Sequence, residues 1–316
     1  MKNFFIGAMQ SKISVYDIDG KTTVSSIDKP KLFDVELRGD LVRMVYDCVR
    51  QNKRQAYAVS PEAGMQHSAE SWGTGRAGQA AFANFARKGR MAHPTQVHRR
   101  WHRKTPLNTR RMATLMGVVA SANAALVEGR GHRIGKVENL PIVLSDKMQE
   151  IRKTKEAVEL IKTLGLYEDV ERVKNSRTIT CGKGKYRNRR YNQRKGILVV
   201  HTGETLSSFR NIEGVDFVNV DSMSVLDLCP GGKMGRLVIW KESAFKRLES
   251  LFSEECKKNF SLPNRMIENA NLEDYFYSPE IQSLIKLPSF LPPGTCKKSE
   301  EEISTAENLI AMYKAE

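Results

Sequence analysis

Close pairs of cysteines are missing from this chain. Its five, Cys48, Cys181, Cys229, Cys256 and Cys296, are odd in number and widely scattered, with no C-x-x-C among them. That excludes a disulfide framework and a zinc ribbon and fits a reducing compartment. Missing too is any run of about 18 apolar residues, so no transmembrane helix is expected. The start, Met1 to Gln10, does not read as a signal peptide, because Gly7 and Gln10 break its apolar run and the alternation of a strand follows. Neither an internal repeat nor a useful low-complexity tract occurs. The most telling absence is of acid. Residues 71–111 and 172–195 hold no Asp or Glu, and each holds ten Lys or Arg. Taking those 20 from the chain's 51 basic residues leaves 31, against 36 acidic ones, so the net charge of +15 belongs to two patches and not to the fold. A polyanion is the natural partner of such patches.

What is present suffices for a core. At 316 residues, 40% hydrophobic and 28% charged, the chain suits one large domain with appendages. Residues 32–50 have Leu41, Val42, Val45, Cys48 and Val49 at helical spacing. From about Ser60 to Thr105 no period is sustained, and a gap of that length suits an extended loop ordered by a partner. Periodicity resumes behind Asn108 or Thr109 as N-cap, with Met112, Leu115, Met116, Val119 and Leu126 on one face before Gly129 and Gly131. Leu140–Leu144 reads as a buried strand. Ser145 or Asp146 then caps a helix carrying Met148, Ile151, Val158, Ile161 and Leu164. Further strands are expected at 197–201, 215–220 and 237–240. Continuous apolar strands alternating with helices predict an α/β fold with a mostly parallel sheet of about four strands. Beyond Leu251 the chain turns Pro-rich and irregular. From residue 253 it has eleven acidic against seven basic residues, as an extension would.

Several motif-like phrases carry little. Gly73 to Gly78 spells G-x-G-x-x-G, but neither the preceding strand nor the later acidic residue of a dinucleotide site is there. Gly182-Lys183-Gly184-Lys185 lacks the spacing of a phosphate loop. His98 and His102 are four apart, yet Arg99, Arg100 and Arg103 crowd them and no carboxylate or thiolate completes a metal site, so phosphate or base contact suits them better. His132 and His201 fit structural roles. Asp146, Asp216 and Asp221 stand near strand ends, where open α/β sheets place active sites, but Asp there is equally a cap or turn former. No catalytic residue, metal or cofactor is assigned.

The two basic stretches are more specific. In Arg87-Lys88-Gly89-Arg90 and His98-Arg99-Arg100-Trp101-His102-Arg103-Lys104, aromatics and imidazoles interleave with guanidinium groups. Such a surface can pair phosphates bidentately and stack on unpaired bases. Lys183 to Lys195 repeats the pattern with Tyr186 and Tyr191. RNA contacts are expected from Trp72, Arg76, Phe82, Phe85, Arg87, Lys88, Arg90, His98, Arg99, Arg100, Trp101, His102, Arg103, Lys104, Arg110 and Arg111 in the first stretch. In the second they are expected from Lys183, Lys185, Tyr186, Arg187, Arg189, Arg190, Tyr191, Arg194 and Lys195. The competing classes are an RNA-acting enzyme, which would need acidic or metal-binding residues beside the patches, and a free regulatory RNA-binding protein.

At these residues the chain resembles the universal large-subunit ribosomal protein L-four family in its eukaryotic and archaeal form. The phrases are Ser68-Ala-Glu-Ser-Trp-Gly-Thr-Gly-Arg-Ala77, Gly78-Gln-Ala-Ala-Phe-Ala-Asn84, Arg87-Lys-Gly-Arg-Met-Ala-His-Pro-Thr95, Gly182-Lys-Gly-Lys-Tyr-Arg-Asn-Arg-Arg-Tyr191 and Gly235-Arg-Leu-Val-Ile-Trp240. The resemblance runs to about residue 252. It implies a three-layer α/β domain made of residues 1–59 and 106–252 on the outer face of the large subunit. Residues 60–105 become a loop threaded through ribosomal RNA toward the peptide exit tunnel, with Gly73, Thr74, Gly75, Arg76, Ala77, Gly78, Gln79 and Ala80 at its tip. Residues 253–316 become an extension against neighbouring proteins or RNA. It further implies a scaffold and assembly role without enzymatic activity, with large-subunit rRNA, neighbouring ribosomal proteins and a dedicated assembly chaperone as partners. The location it implies is the cytoplasmic ribosome, with nucleolar assembly if the source is eukaryotic.

Two departures bear on function. After Gly75-Arg76-Ala77 the family continues into a longer Gly- and Arg-rich tip, whereas here Ala77 runs into Gly78-Gln79. An extended chain covers about 3.4 Å per residue, halved in a hairpin, so losing roughly a dozen residues withdraws the tip by about 20 Å. The tail, too, is short and net acidic where the family's eukaryotic members end in a Lys-rich extension. Met91-Ala92-His93 also departs from the family's bulkier aromatic pattern.

Overall fold

A computed structural model describes residues 12–68, 82–137, 139–203, 206–253, 256, 259–263, 271–285 and 308. The chain divides into two compact units, residues 1–264 and 265–316.

The first unit is built on a sheet. Strands β1 (Lys12–Tyr16) and β2 (Thr23–Asp28) pair antiparallel. Helices α1 (Gly39–Gln51), α2 (Leu107–Ser121) and α3 (Ala124–Gly129) lead to β3 (Ile142–Leu144). Helices α4 (Thr154–Thr163) and α5 (Tyr167–Asn175) precede a short hairpin of β4 (Thr178–Ile179) and β5 (Tyr191–Asn192). Then come β6 (Leu198–His201), β7 (Asp216–Asn219), α6 (Val225–Leu228), β8 (Val238–Lys241) and α7 (Glu242–Leu251). The main sheet has the order β2-β1-β3-β8-β6-β7, and every pairing after β2-β1 is parallel.

The apolar strands make sense once both faces are covered. On one face Val143, Val238, Trp240, Leu198 and Val200 pack with Val42 and Val45 of α1, Leu115 and Val118 of α2, and Phe245 and Leu248 of α7. On the other, Ile142, Leu144, Ile239, Ile197 and Val199 pack with Ala157, Leu160 and Ile161 of α4 and with Phe209. Alternate side chains of the central strands β3, β6 and β8 thus enter opposite layers. This is the expected three-layer α/β fold. Losing the buried Phe245 ring, which stands 6.0 Å from the Trp240 ring, would cost about 3–5 kcal/mol.

Four expectations about elements need correction. Residues 32–50 are not one helix: a 3-10 turn over Lys31–Asp34 sinks Leu32 and Phe33 into the core, and the chain straightens before α1. The next helix starts at Leu107 behind Pro106, ahead of both expected caps. It also stops at Ser121, because Asn123 begins a new helix by accepting the Ala125 N–H at 3.1 Å. Asp146 opens a 3-10 turn over Asp146–Glu150 and not α4, whose start is Thr154. The sheet has six strands, because β1 and β2 extend one edge; β2 is almost wholly exposed and lacks the apolar pattern of a core strand.

The phrase Gly235 to Trp240 gains a physical reason. Gly235 has φ +90 and lies so close to α3 that a Cβ would stand 2.4 Å from the Leu126 carbonyl oxygen. Arg236 is 1% exposed. It donates to the Gly196 carbonyl at 2.9 Å, to the Asp227 carbonyl at 2.8 Å and to the Asp216 carboxylate, tying three segments around the start of β8. Phe260 and Leu262 also pack on the core, so the first unit continues past residue 252. In the second unit, α8 (Leu272–Phe276) and α9 (Pro279–Leu284) bury no described residue.

Candidate nucleic-acid interface

Between α1 and α2, no α-helix or β-strand occurs among the described residues 52–68 and 82–106. The two arms of this segment run against each other. Val59 N–H donates to the Thr95 carbonyl at 3.3 Å, and a His67 ring nitrogen lies 3.2 Å from the Lys88 carbonyl. A turn follows from Ala83 to Arg90, with Lys88 at φ 55. Near the domain, His102 donates from Nδ1 to the Gln51 carbonyl at 3.1 Å, joining the end of the segment to the end of α1.

Exposure sorts the expected contact residues of this stretch. Phe85 is 83% exposed. Arg87, Lys88, His98, Arg99, Arg100, Arg103 and Lys104 are also exposed, while Phe82 and Arg90 are half-buried. Phe82 lies against the His67 ring at 5.9 Å. Trp101 is 9% exposed; its Nε1 donates to the Val97 carbonyl at 2.8 Å and its ring meets Tyr57 edge-on at 4.8 Å. Trp101 is therefore a wall of the segment and not a free stacking plate. Arg110 and Arg111 stand on the first turns of α2, where Arg111 donates to the Asn108 side chain at 3.1 Å. Trp72, Arg76 and the expected tip, Gly73 to Ala80, lie outside the described residues.

In the second stretch, the β4–β5 hairpin lifts a 3-10 turn, Gly182–Tyr186, away from the core. Lys183, Tyr186, Arg187, Arg189, Arg190, Tyr191, Arg194 and Lys195 are exposed, and Lys185 is half-buried with its Nζ 5.4 Å from the Tyr186 ring. Arg177 lies 4.0 Å over the Tyr191 ring. Of these cations Lys195 is partnered by Asp216 at 3.0 Å. Arg54, Gln55 and Tyr57 were not expected from the sequence, because they precede the acid-free stretch. Only the fold brings them to Arg99 and Trp101.

The three strand-end aspartates are all engaged. Asp146 accepts the Ser243 N–H at 3.1 Å, Asp221 pairs with Arg247 at 2.9 Å, and Asp216 pairs with Arg236 and Lys195. Burial raises the Asp216 carboxyl pKa, but Arg236 and Lys195 outweigh it and hold the group below the usual carboxylate range. His132 is buried and donates from Nδ1 to Asp169 at 3.0 Å; burial lowers its pKa, so the neutral ring is favoured. Arg172 pairs with the same Asp169 at 2.8 Å, and the trio ties α5 to the segment that follows α3. No group of three or more His, Cys, Asp or Glu that could hold a metal occurs among the described residues, and no described helix is long and apolar enough to cross a membrane.

A sequence profile described as the ribosomal protein L4/L1 family matches residues 28–251. The chain belongs to this family. The L4/L1 match bears out the resemblance read from the motif phrases, and the strand-end aspartates are accordingly structural, since the family is a non-enzymatic one. Among curated relatives, the chain is 45% identical to large ribosomal subunit protein uL4B of Schizosaccharomyces pombe, over 89% of this chain and 84% of that protein. It is 41% identical to large ribosomal subunit protein uL4 of Caenorhabditis elegans, over 90% and 89%. It is 40% identical to uL4 of Prunus armeniaca, over 88% and 74%. The fission-yeast match extends over 303 positions yet takes in 89% of this 316-residue chain, so some of those positions are residues of the relative with no counterpart here.

Proposed function

We propose that the chain is a structural constituent of the large ribosomal subunit that binds and organises its rRNA through the two acid-free stretches. The observation that carries this is the family membership together with the division of charge. Core cations such as Arg236 and Lys241 are matched by carboxylates, whereas most of the patch cations point to solvent. Surfaces left with unmatched guanidinium and ammonium groups gain most from a phosphate backbone.

In this reading residues 1–59 and 106–252 form the anchoring domain, residues 60–105 reach into rRNA toward the exit tunnel, and residues 253–316 contact neighbouring ribosomal proteins. Assembly into early particles, nucleolar in a eukaryotic cell, and a chaperone for the free loop complete it. The Arg and Lys residues named above position phosphates, while Phe85, Tyr186 and Tyr191 offer exposed rings to unpaired bases. The tip is shorter than is usual for the family. The loop then binds RNA but constricts the exit tunnel less than usual, or not at all.

The test is to tag the chain in its own cells, crosslink with ultraviolet light and sediment the lysate. Stoichiometric co-sedimentation with large subunits, with rRNA crosslinks from both stretches, is expected. Recovery in light fractions with scattered crosslinks would refute the ribosomal role. A ribosome map in which residues 73–80 touch the lumen would sink the short-tip idea alone.

A further inference from the structure

Where the loop leaves the α/β domain, Arg54, Gln55, Tyr57, Arg99 and Trp101 line an open cleft of about 350 Å³. Its wall is fixed: Trp101 is buried and hydrogen-bonded through Nε1 to Val97, and it holds the Tyr57 ring edge-on at 4.8 Å. Tyr57 itself remains 58% exposed. The Arg99 guanidinium lies 5.4 Å from the Trp101 ring centroid, so its head is oriented by the same wall. No carboxylate lines the cleft, and among the described residues neither Arg54 nor Arg99 is ion-paired.

Each part selects for a different part of a ligand. Two guanidinium groups gathered without a counter-charge call for an anion, and their forked donors suit a phosphate. An exposed phenol ring beside them calls for a flat aromatic partner. The Gln55 amide offers a donor and an acceptor at the edge of such a ring. Phosphate, planar ring and hydrogen-bonding edge together describe a nucleotide, and the volume is at the small end for a ligand site. The cleft is open to solvent, so a sugar–phosphate chain can enter and leave it.

We infer that this cleft takes one unpaired nucleotide of an RNA strand, its base stacked on Tyr57 and its phosphate held between Arg54 and Arg99. The inference rests on the RNA-binding reading above and adds to it a specific seat at the root of the loop. That seat belongs mainly to residues outside the acid-free stretches.

The test uses the full chain and a single-stranded oligoribonucleotide of about eight residues carrying one 2-aminopurine, whose fluorescence is quenched when it stacks. Wild type and Tyr57→Phe are expected to quench it alike. Tyr57→Leu should bind about 5- to 150-fold more weakly, as loss of one stacked base predicts, and leave the bound probe markedly brighter than wild type does. Equal affinity and equal quenching in Tyr57→Leu would overturn the cleft while leaving RNA binding by the patches intact. Displacement of the strand by AMP at the concentration at which AMP binds alone would assign the cleft to a free nucleotide and overturn the strand. A wild-type chain that binds no RNA would overturn both this inference and the reading beneath it.

Discussion

The carboxylate of Asp146, just past the end of β3, accepts a hydrogen bond at 3.1 Å from the backbone N–H of Ser243 at the start of α7. Helix α7 has no capping side chain of its own, because the residue at its N-cap is Lys241. Its cap comes from the turn after a neighbouring strand, nearly a hundred residues away in sequence. Asp146→Ala should lower stability by about 0.5–2 kcal/mol, as other lost caps do. Asp146→Asn keeps the accepting oxygen but gives up the charge 3.8 Å from the buried Lys241 ammonium, so it should lose less than Asp146→Ala. Thermal unfolding of both checks this, and subunit incorporation of the Asn variant should match wild type.

Arg236→Met leaves two carbonyls and one carboxylate without their donor. Breaking a buried ion pair costs about 3–5 kcal/mol; the lower end applies, since Lys195 still reaches Asp216. The pH dependence has a definite sign. An unfolded Asp titrates near pH 3.9, and in the folded chain Asp216 is held lower, burial being outweighed by Arg236 and Lys195. The pair's contribution is therefore full above about pH 4 and is lost as the pH falls through the folded value. Urea unfolding at a series of pH values should find the gap between wild type and variant narrowing below about pH 4.

Two glycines with similar backbones should respond differently to alanine. Gly235 (φ +90) would drive a Cβ to 2.4 Å from the Leu126 carbonyl oxygen, whereas Gly231 (φ +76) has nothing within 4 Å of its would-be Cβ. Gly231→Ala should cost about 1–2 kcal/mol, the backbone term alone. Gly235→Ala must also part α3 from β8 and should cost clearly more, read as a lower urea midpoint.

Replacing Lys183, Arg187, Arg189 and Arg190 by Gln should leave the melting temperature unchanged, since all four are exposed. Each lost phosphate contact should flatten the dependence of log affinity on log salt by about 0.7 to 0.9. A loss of folding instead of slope would mean that the hairpin supports the core.

The buried thiol of Cys229 is pushed up to about 12 by desolvation, despite the nearby Arg130. It should stay unalkylated in the folded chain at pH 8, while the exposed Cys181 reacts; mass mapping after iodoacetamide would tell them apart.

The central strands were legible in the sequence because β3, β6 and β8 are apolar on both faces, a pattern that needs no partner to be recognised. At the β1–β2 edge the alternation of β1 was legible but β2 was not, since β2 is set by its pairing with β1 and not by burial. Caps at Asp146 and Asn123 depend on which N–H happens to face them, and residue type alone does not reveal that. The basic patches were legible as composition. The burial of Trp101 was not legible because sequence gives a ring's chemistry and not its orientation, and Arg54 and Tyr57 were missed because Glu62 and Glu70 separate them from the acid-free stretch.

The hydrogen bond from His102 to Gln51, with that from Val59 to Thr95, closes the long loop at its neck. Beyond such a neck, loop length enters the folding free energy only logarithmically, about 0.6 kcal/mol for each doubling. The far end can therefore lengthen or shorten across lineages almost invisibly to the domain that carries it. Its reach is then free to be set by what lies at the other end.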